Sequence, residues 1–124
     1  MNFTLLPERM AIARLKHDAP LPAWATRGAF TSVTRTPSEL SIVCEDDSVP
    51  YDVAAARGWR ILMLQGPFPL TQTGIASDFT AVLARADVSV FVISTYETDF
   101  VLLPEKSLDV ALAALSGAGH SVSR

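Results

Sequence analysis

Residues 88–103, VSVFVISTYETDFVLL, set six polar residues, Ser94 to Asp99, between two apolar runs that read as buried strands. Val88 to Ser94 is β-branched and aromatic, and Phe100 to Leu103 continues in the same style, so the pair reads as neighbouring strands. A tight turn needs only two or three residues. The extra polar length asks for a purpose beyond turning the chain.

Working outward, Trp59 to Gln65 (WRILMLQ) is a third apolar run, ended by Gly66-Pro67 and Pro69. From Thr73 the period changes. Ile75, Phe79, Val82, Leu83 and Ala86 recur at helical spacing, with Thr71 or Thr73 placed to cap the first turn. After Leu103, Pro104 and Glu105 open a second helical stretch in which Leu108, Ala111, Leu112 and Leu115 share a face, and Gly117 or Gly119 closes it. His120 to Ser123 is a last short strand. The order is βαββαβ, which predicts an α+β, ferredoxin-like sheet with both helices on one face.

The first half carries a fainter copy. Arg9 to Pro22 lies on Gly58 to Thr71 with a shift of 49 positions, matching Ile12 with Ile61 and Leu15 with Leu64. Glu39 to Glu45 lies on Asp99 to Glu105 with a shift of 60. The second shift is longer by about the length of one helix, so the first copy is read as having lost its first helix. Two tandem modules follow: a degenerate first, residues 1–57, and a complete second, residues 58–124. The segment Asp46 to Gly58 is expected to carry a weak second helix and the connection.

Composition excludes several roles. Hydrophobic residues make up 49% and charged residues 19%, which is globular rather than disordered. The net charge is −3 and the basic residues are scattered, which argues against a nucleic-acid partner. No run has the length of a membrane span, and MNFTLLPERM is charged where a signal peptide is apolar, so a cytoplasmic chain without a membrane partner is expected. The lone Cys44 sits in an apolar run and reads as a buried thiol. His17 and His120 lack metal-ligand spacing and read as solvent-facing strand ends; neither a metal nor a cofactor is called for.

In a ferredoxin-like sheet the first and third strands are adjacent, so the Gly66 to Gly74 loop and the Ser94 to Asp99 turn should meet at one end. One brings a helix start, where the amides of Gly74 and Ile75 favour an anion. The other brings Asp99 with the hydroxyls of Ser94, Thr95, Tyr96 and Thr98. A small zwitterion needs that pair of charges. The plainer alternative has Thr95 and Thr98 capping a hairpin and Asp99 bonding a turn amide. In the first copy Ser32 to Thr36 is the equivalent strand end, with Arg35 facing either a ligand carboxylate or solvent.

The stretch GPFPLTQTGIASDFTAVLARADVSVFVISTYETDFVLLPEKSLDVALAAL resembles the small tandem ACT-domain proteins, among them the ACT modules of the cytosolic arginine sensors of animals and bacterial ACT-domain regulatory proteins. The pairing of LTQTGI with ISTYETDFVLLPE is the most specific element, and PLPAW and SVTRTPSELSIV extend the likeness into the first half. The resemblance implies a ligand at a module interface, touched by the glycine loop and by the strand end with its aspartate. On matching positions it points to Gln72, Thr73, Gly74, Ile75, Thr95, Tyr96 and Asp99. The acidic residue that the sensors have at the place of Gln72 is absent, so the site carries over and the ligand's identity does not.

No triad, P-loop or paired catalytic carboxylates appear, so the chain is not read as an enzyme. The expectation is an amino-acid-binding regulatory protein, a homodimer or the partner of another protein. Its rival is a ligand-free ACT-like module for dimerisation or protein interaction.

Overall fold

The computed structural model describes all 124 residues. The backbone groups into two compact units, Glu8–Trp59 on the one hand and Met1–Pro7 with Arg60–Arg124 on the other. The first seven residues thus belong with the second half of the chain, a difference from a division at 57/58.

The unit Glu8–Trp59 contains β2 (Met10–Leu15), β3 (Ser32–Arg35), β4 (Leu40–Glu45) and the start of β5 (Ala55–Leu64). Strands β3 and β2 flank β4, and β5 joins the far side of β2, all antiparallel. Taken in chain order, that is the 4-1-3-2 arrangement of a ferredoxin-like sheet. The expected α-helix between residues 46 and 58 is not there. Asp46–Ser48 forms only a 3₁₀ turn, and Ala55 and Ala56 are drawn into a strand by pairing with Ala13 and Ile12. Pairing across a sheet overrides the helix preference of an alanine run. A second 3₁₀ turn, Ala23–Thr26, stands where the first helix would be. The core is correspondingly small: Ala11, Ala13, Ala25, Leu40, Ile42, Cys44 and Val49.

Arg35 donates to the carbonyls of His17 and Ala19, so it ties down a loop rather than facing a ligand. In the hairpins, Arg35 pairs with Leu40 and Ser94 pairs with Asp99. The two copies therefore correspond with a shift of 59, one residue less than apolar matching suggested. With that register Ile42, Val43 and Cys44 fall on Val101, Leu102 and Leu103, all buried. Matching apolar runs cannot fix register to one residue; pairing does.

The other unit holds the end of β5, α1 (Ile75–Arg85), β6 (Phe91–Ser94), β7 (Asp99–Pro104), α2 (Leu108–Gly117) and β8 (Ser121–Ser123). It also holds β1 (Asn2–Leu5), which pairs antiparallel with β5 at Phe3↔Leu64 and parallel with β8 at Phe3↔Val122. The sheet order is β6-β7-β5-β1-β8, the ferredoxin-like order with one strand inserted. The helices bury Phe79, Val82, Leu83, Leu108, Ala111 and Leu115 against Phe3, Leu5, Leu62, Leu64, Val101 and Leu103. Phe3 meets Phe79 edge to face at 5.8 Å.

Both helices end in the same way. After α1 the N–H of Asp87 bonds Ala84 and that of Val88 bonds Leu83; after α2 Gly119 bonds Ser116 and His120 bonds Leu115. This pattern turns the chain back onto the sheet. It also delays β6, which begins at Phe91 rather than Val88 because Asp87 to Val90 is spent on the exit. His120 lies edge-on to Phe3, with its Nδ1 3.0 Å from the Met1 amine, rather than free in solvent. No helix is long and apolar enough to cross a membrane.

Candidate functional site

The β5–α1 loop and the β6–β7 turn do meet, and hydrogen bonds join them. The Phe68 N–H donates to the Glu97 carbonyl at 2.8 Å, and the Thr98 hydroxyl donates to the Leu64 carbonyl at 2.6 Å. Gly66 lies under this contact. A Cβ there would sit 3.0 Å from the Glu97 carbonyl oxygen and 3.2 Å from Thr98 Cβ, so the two chains approach as closely as glycine allows.

Between the loops lies an open depression of about 430 Å³. One wall is Phe68, Pro69, Leu70, Gln72 and the start of α1 from Gly74 to Ser77; the other is Ser94 to Asp99. Of the residues expected at a site, Gln72, Gly74, Ile75, Thr95, Tyr96 and Asp99 line it, and Thr73 does not.

The start of α1 differs from expectation in one respect. Neither threonine caps it; Gly74 is the N-cap residue, at φ 85°, with no side-chain cap. The first helical bond runs from Asp78 N–H to the Gly74 carbonyl at 3.0 Å, so the amides of Ile75, Ala76 and Ser77 lie ahead of the helical ladder. A Cβ on Gly74 would meet nothing within 4 Å. Backbone conformation, and not crowding by neighbours, is what requires glycine there.

In the opposite turn the threonines serve the fold. The Thr95 hydroxyl donates to the Thr98 carbonyl at 3.1 Å and accepts from the Thr98 N–H at 3.4 Å. Thr95 is thereby committed to the hairpin. Asp99, half-buried, opens β7 opposite Ser94. The lining holds two carboxylates, Glu97 and Asp99, five hydroxyls, and no histidine, cysteine, lysine or arginine. Such a set can accept hydrogen bonds from a cation and offer amides to an anion. Phe68, Pro69, Leu70, Ala76, Ser77 and Glu97 also line the depression without having been singled out, although all but Ala76 and Ser77 lie in the two segments expected to meet; a large apolar residue at a turn corner, as Leu70 is, was the available signal.

A larger concavity, about 640 Å³, lies among Glu8, Arg9, Glu45, Asp46, Asp47, Arg57 and Gly58. Its central polar groups are already engaged. Asp46 receives Arg57 at 2.9 Å and the Gly58 N–H at 2.8 Å, while Arg57 also reaches the carbonyls of Asp46, Val49 and Pro50. That is a staple holding a loop.

A family model of the ACT domain matches residues 54–117, the stretch that carries this depression. The chain belongs to the ACT-domain family. A model of an N-terminal domain matches residues 8–52. The ACT chain is 32% identical over 104 residues to the human protein CASTOR3P, a match covering 73% of this chain and 64% of that protein. It is 29% identical over 102 residues to the bovine cytosolic arginine sensor for mTORC1 subunit 1, covering 73% of this chain and 31% of the sensor. The match thus spans less than two thirds of either relative. A crystal structure of a protein from Agrobacterium tumefaciens aligns with a TM-score of 0.92 at 39% identity, over 98% of this chain and 90% of that one. The ligand-free regulatory subunit of aspartate kinase from Thermus thermophilus shares the ACT fold at 13% identity, with a TM-score of 0.65 over 94% and 96% of the two chains.

Proposed function

We propose that this ACT protein is a non-catalytic, cytoplasmic regulator that binds a free amino acid, or a similar small zwitterion, in the depression between the β5–α1 loop and the β6–β7 turn. The ligand carboxylate meets the amides of Ile75 to Ser77, and its ammonium meets Asp99. Gln72 flanks it, Tyr96 stands at the rim, and Thr95 holds the turn in shape. The reading is carried by one observation: loops from two different strands, joined through Phe68–Glu97 and Thr98–Leu64, wall a single depression with an uncapped helix start and a carboxylate. The arginine sensors support an amino-acid-responsive role. Output passes through a second copy of the chain or another protein whose association the ligand favours.

Thermal unfolding with each of the twenty amino acids tests this. A ligand at about 100 times its dissociation constant adds about 2.7 kcal/mol, which raises Tm by several degrees for a domain of this size. Asp99→Asn removes the shift and leaves the unliganded midpoint nearly unchanged.

A second reading, a ligand-free interaction module, draws on the threonines: Thr95 and Thr98 spend their hydroxyls inside the hairpin and its contact with Leu64. Silence across the whole panel from a stably associated protein favours it.

A further inference from the structure

We infer that the site selects a neutral amino acid with a large apolar side chain, held by Leu70 and Tyr96; this rests on the amino-acid-binding reading above. The two residues stand on different loops. Leu70 occupies a corner of the turn closed by the Gln72 N–H on the Pro69 carbonyl at 3.0 Å, and Tyr96 occupies the corner of the turn closed by Thr95 and Thr98. Turn corners ordinarily carry glycine, proline, asparagine, aspartate or serine, because these fit the backbone and tolerate water. Here both corners carry large apolar side chains, 68% and 79% exposed, and both border the same depression. Behind them Phe68 and Ile75 are half-buried and pack against the helix-side core, giving the depression a firm apolar floor.

Charge narrows the class further. The lining carries Glu97 and Asp99 with no cation. An acidic ligand side chain is repelled by the two carboxylates of the lining, Glu97 and Asp99. A basic side chain has one carboxylate to reach once Asp99 takes the ammonium, namely Glu97, which is exposed to water and holds a cation weakly. An apolar side chain removes the exposed surface of Leu70 and Tyr96 from water along with its own, a gain that grows with the area covered.

Calorimetric titration with L-alanine, L-leucine, L-phenylalanine, L-arginine and L-aspartate decides the matter on the wild-type chain, Asp99→Asn and the double variant Leu70→Ser/Tyr96→Ser. Leucine or phenylalanine binds on the order of tenfold or more tighter than alanine, arginine and aspartate. The double variant removes that advantage, costing leucine and phenylalanine far more affinity than alanine, whose methyl does not reach Leu70. Asp99→Asn weakens every ligand. If alanine or arginine binds as well as phenylalanine, in a manner dependent on Asp99, the inference is overturned and the functional reading stands. If none of the five binds, the inference is overturned, and the functional reading falls with it only if the other fifteen amino acids are also silent in thermal unfolding. A double variant that splits a dimer in sedimentation without changing phenylalanine affinity also overturns the inference, because the rim then serves contact between copies.

Discussion

The hydroxyl of Thr98 donates to the carbonyl of Leu64 across 2.6 Å, fastening the β6–β7 turn to the last residue of β5. The same turn receives the Phe68 amide on the carbonyl of Glu97. Two bonds from successive residues therefore hold the walls of the depression at a fixed spacing.

Replacing Thr98 by valine keeps the shape and removes the donor, leaving the Leu64 carbonyl without it. The expected loss is about 1 kcal/mol in denaturant unfolding, the ordinary worth of one such bond. On the proposed function, affinity for an amino acid falls as well, because the walls loosen. Thr98→Ser retains both properties, which separates the hydroxyl from the methyl.

Gly74 at φ 85° predicts a second outcome. Alanine in this left-handed conformation costs about 1 to 2 kcal/mol from its Cβ meeting its own backbone. Since that Cβ meets no neighbour within 4 Å, no packing cost is added. Gly74→Asn costs less than Gly74→Ala, as asparagine tolerates the conformation. Equilibrium unfolding of the two variants measures the order.

The second module was legible because its signals are local: the helical spacing from Ile75 to Ala86 and the run from Val88 to Leu103 each declare their own period. The inserted strand β1 has no such signal. Asn2–Leu5 is four residues long and becomes a strand only because β5 and β8 bind its two edges. The vanished helix between 46 and 58 is the same effect in reverse. In the lining of the depression, Asp99 and the glycine loop followed from turn chemistry and family likeness. Leu70 and Phe68 were not singled out: an apolar residue at a turn corner is a signal of use, but it points to a particular site only once the surface it borders is known.

Cys44 gives a pH dependence. Burial pushes its thiol above the ordinary range, with Glu45 and Asp46 adding to the rise. Its folded pKa exceeds its unfolded one, so the unfolded chain ionises first. Stability contributed by the protonated thiol is complete below the ordinary value of about 8.5 and declines as pH climbs past it toward the folded value. Unfolding followed from pH 7.5 upward should show a steeper decline for the wild type than for Cys44→Ala, whatever the variant's absolute stability. In the native protein at neutral pH the thiol should resist thiol-specific reagents.

Asp87 is the one residue other than glycine with a positive φ, at 59°, and it sits just past the carboxyl end of α1. Two costs coincide there. An L residue in the left-handed region gives up about 1 kcal/mol relative to glycine, less for aspartate than for most. Its negative charge also lies at the negative end of the helix dipole, an unfavourable placement of about 0.3 to 1 kcal/mol at an exposed position. The backbone bonds of the exit, Asp87 to Ala84 and Val88 to Leu83, involve no side-chain atom and survive substitution. Asp87→Gly should therefore stabilise the protein by about 1 kcal/mol, and Asp87→Asn by a part of that, since it removes the charge and keeps the Cβ. Raising the salt concentration narrows the gap between wild type and Asp87→Asn, because only the dipole contribution is screened. A glycine variant no more stable than wild type at any salt concentration would mean that the Asp87 side chain makes a compensating contact in solution.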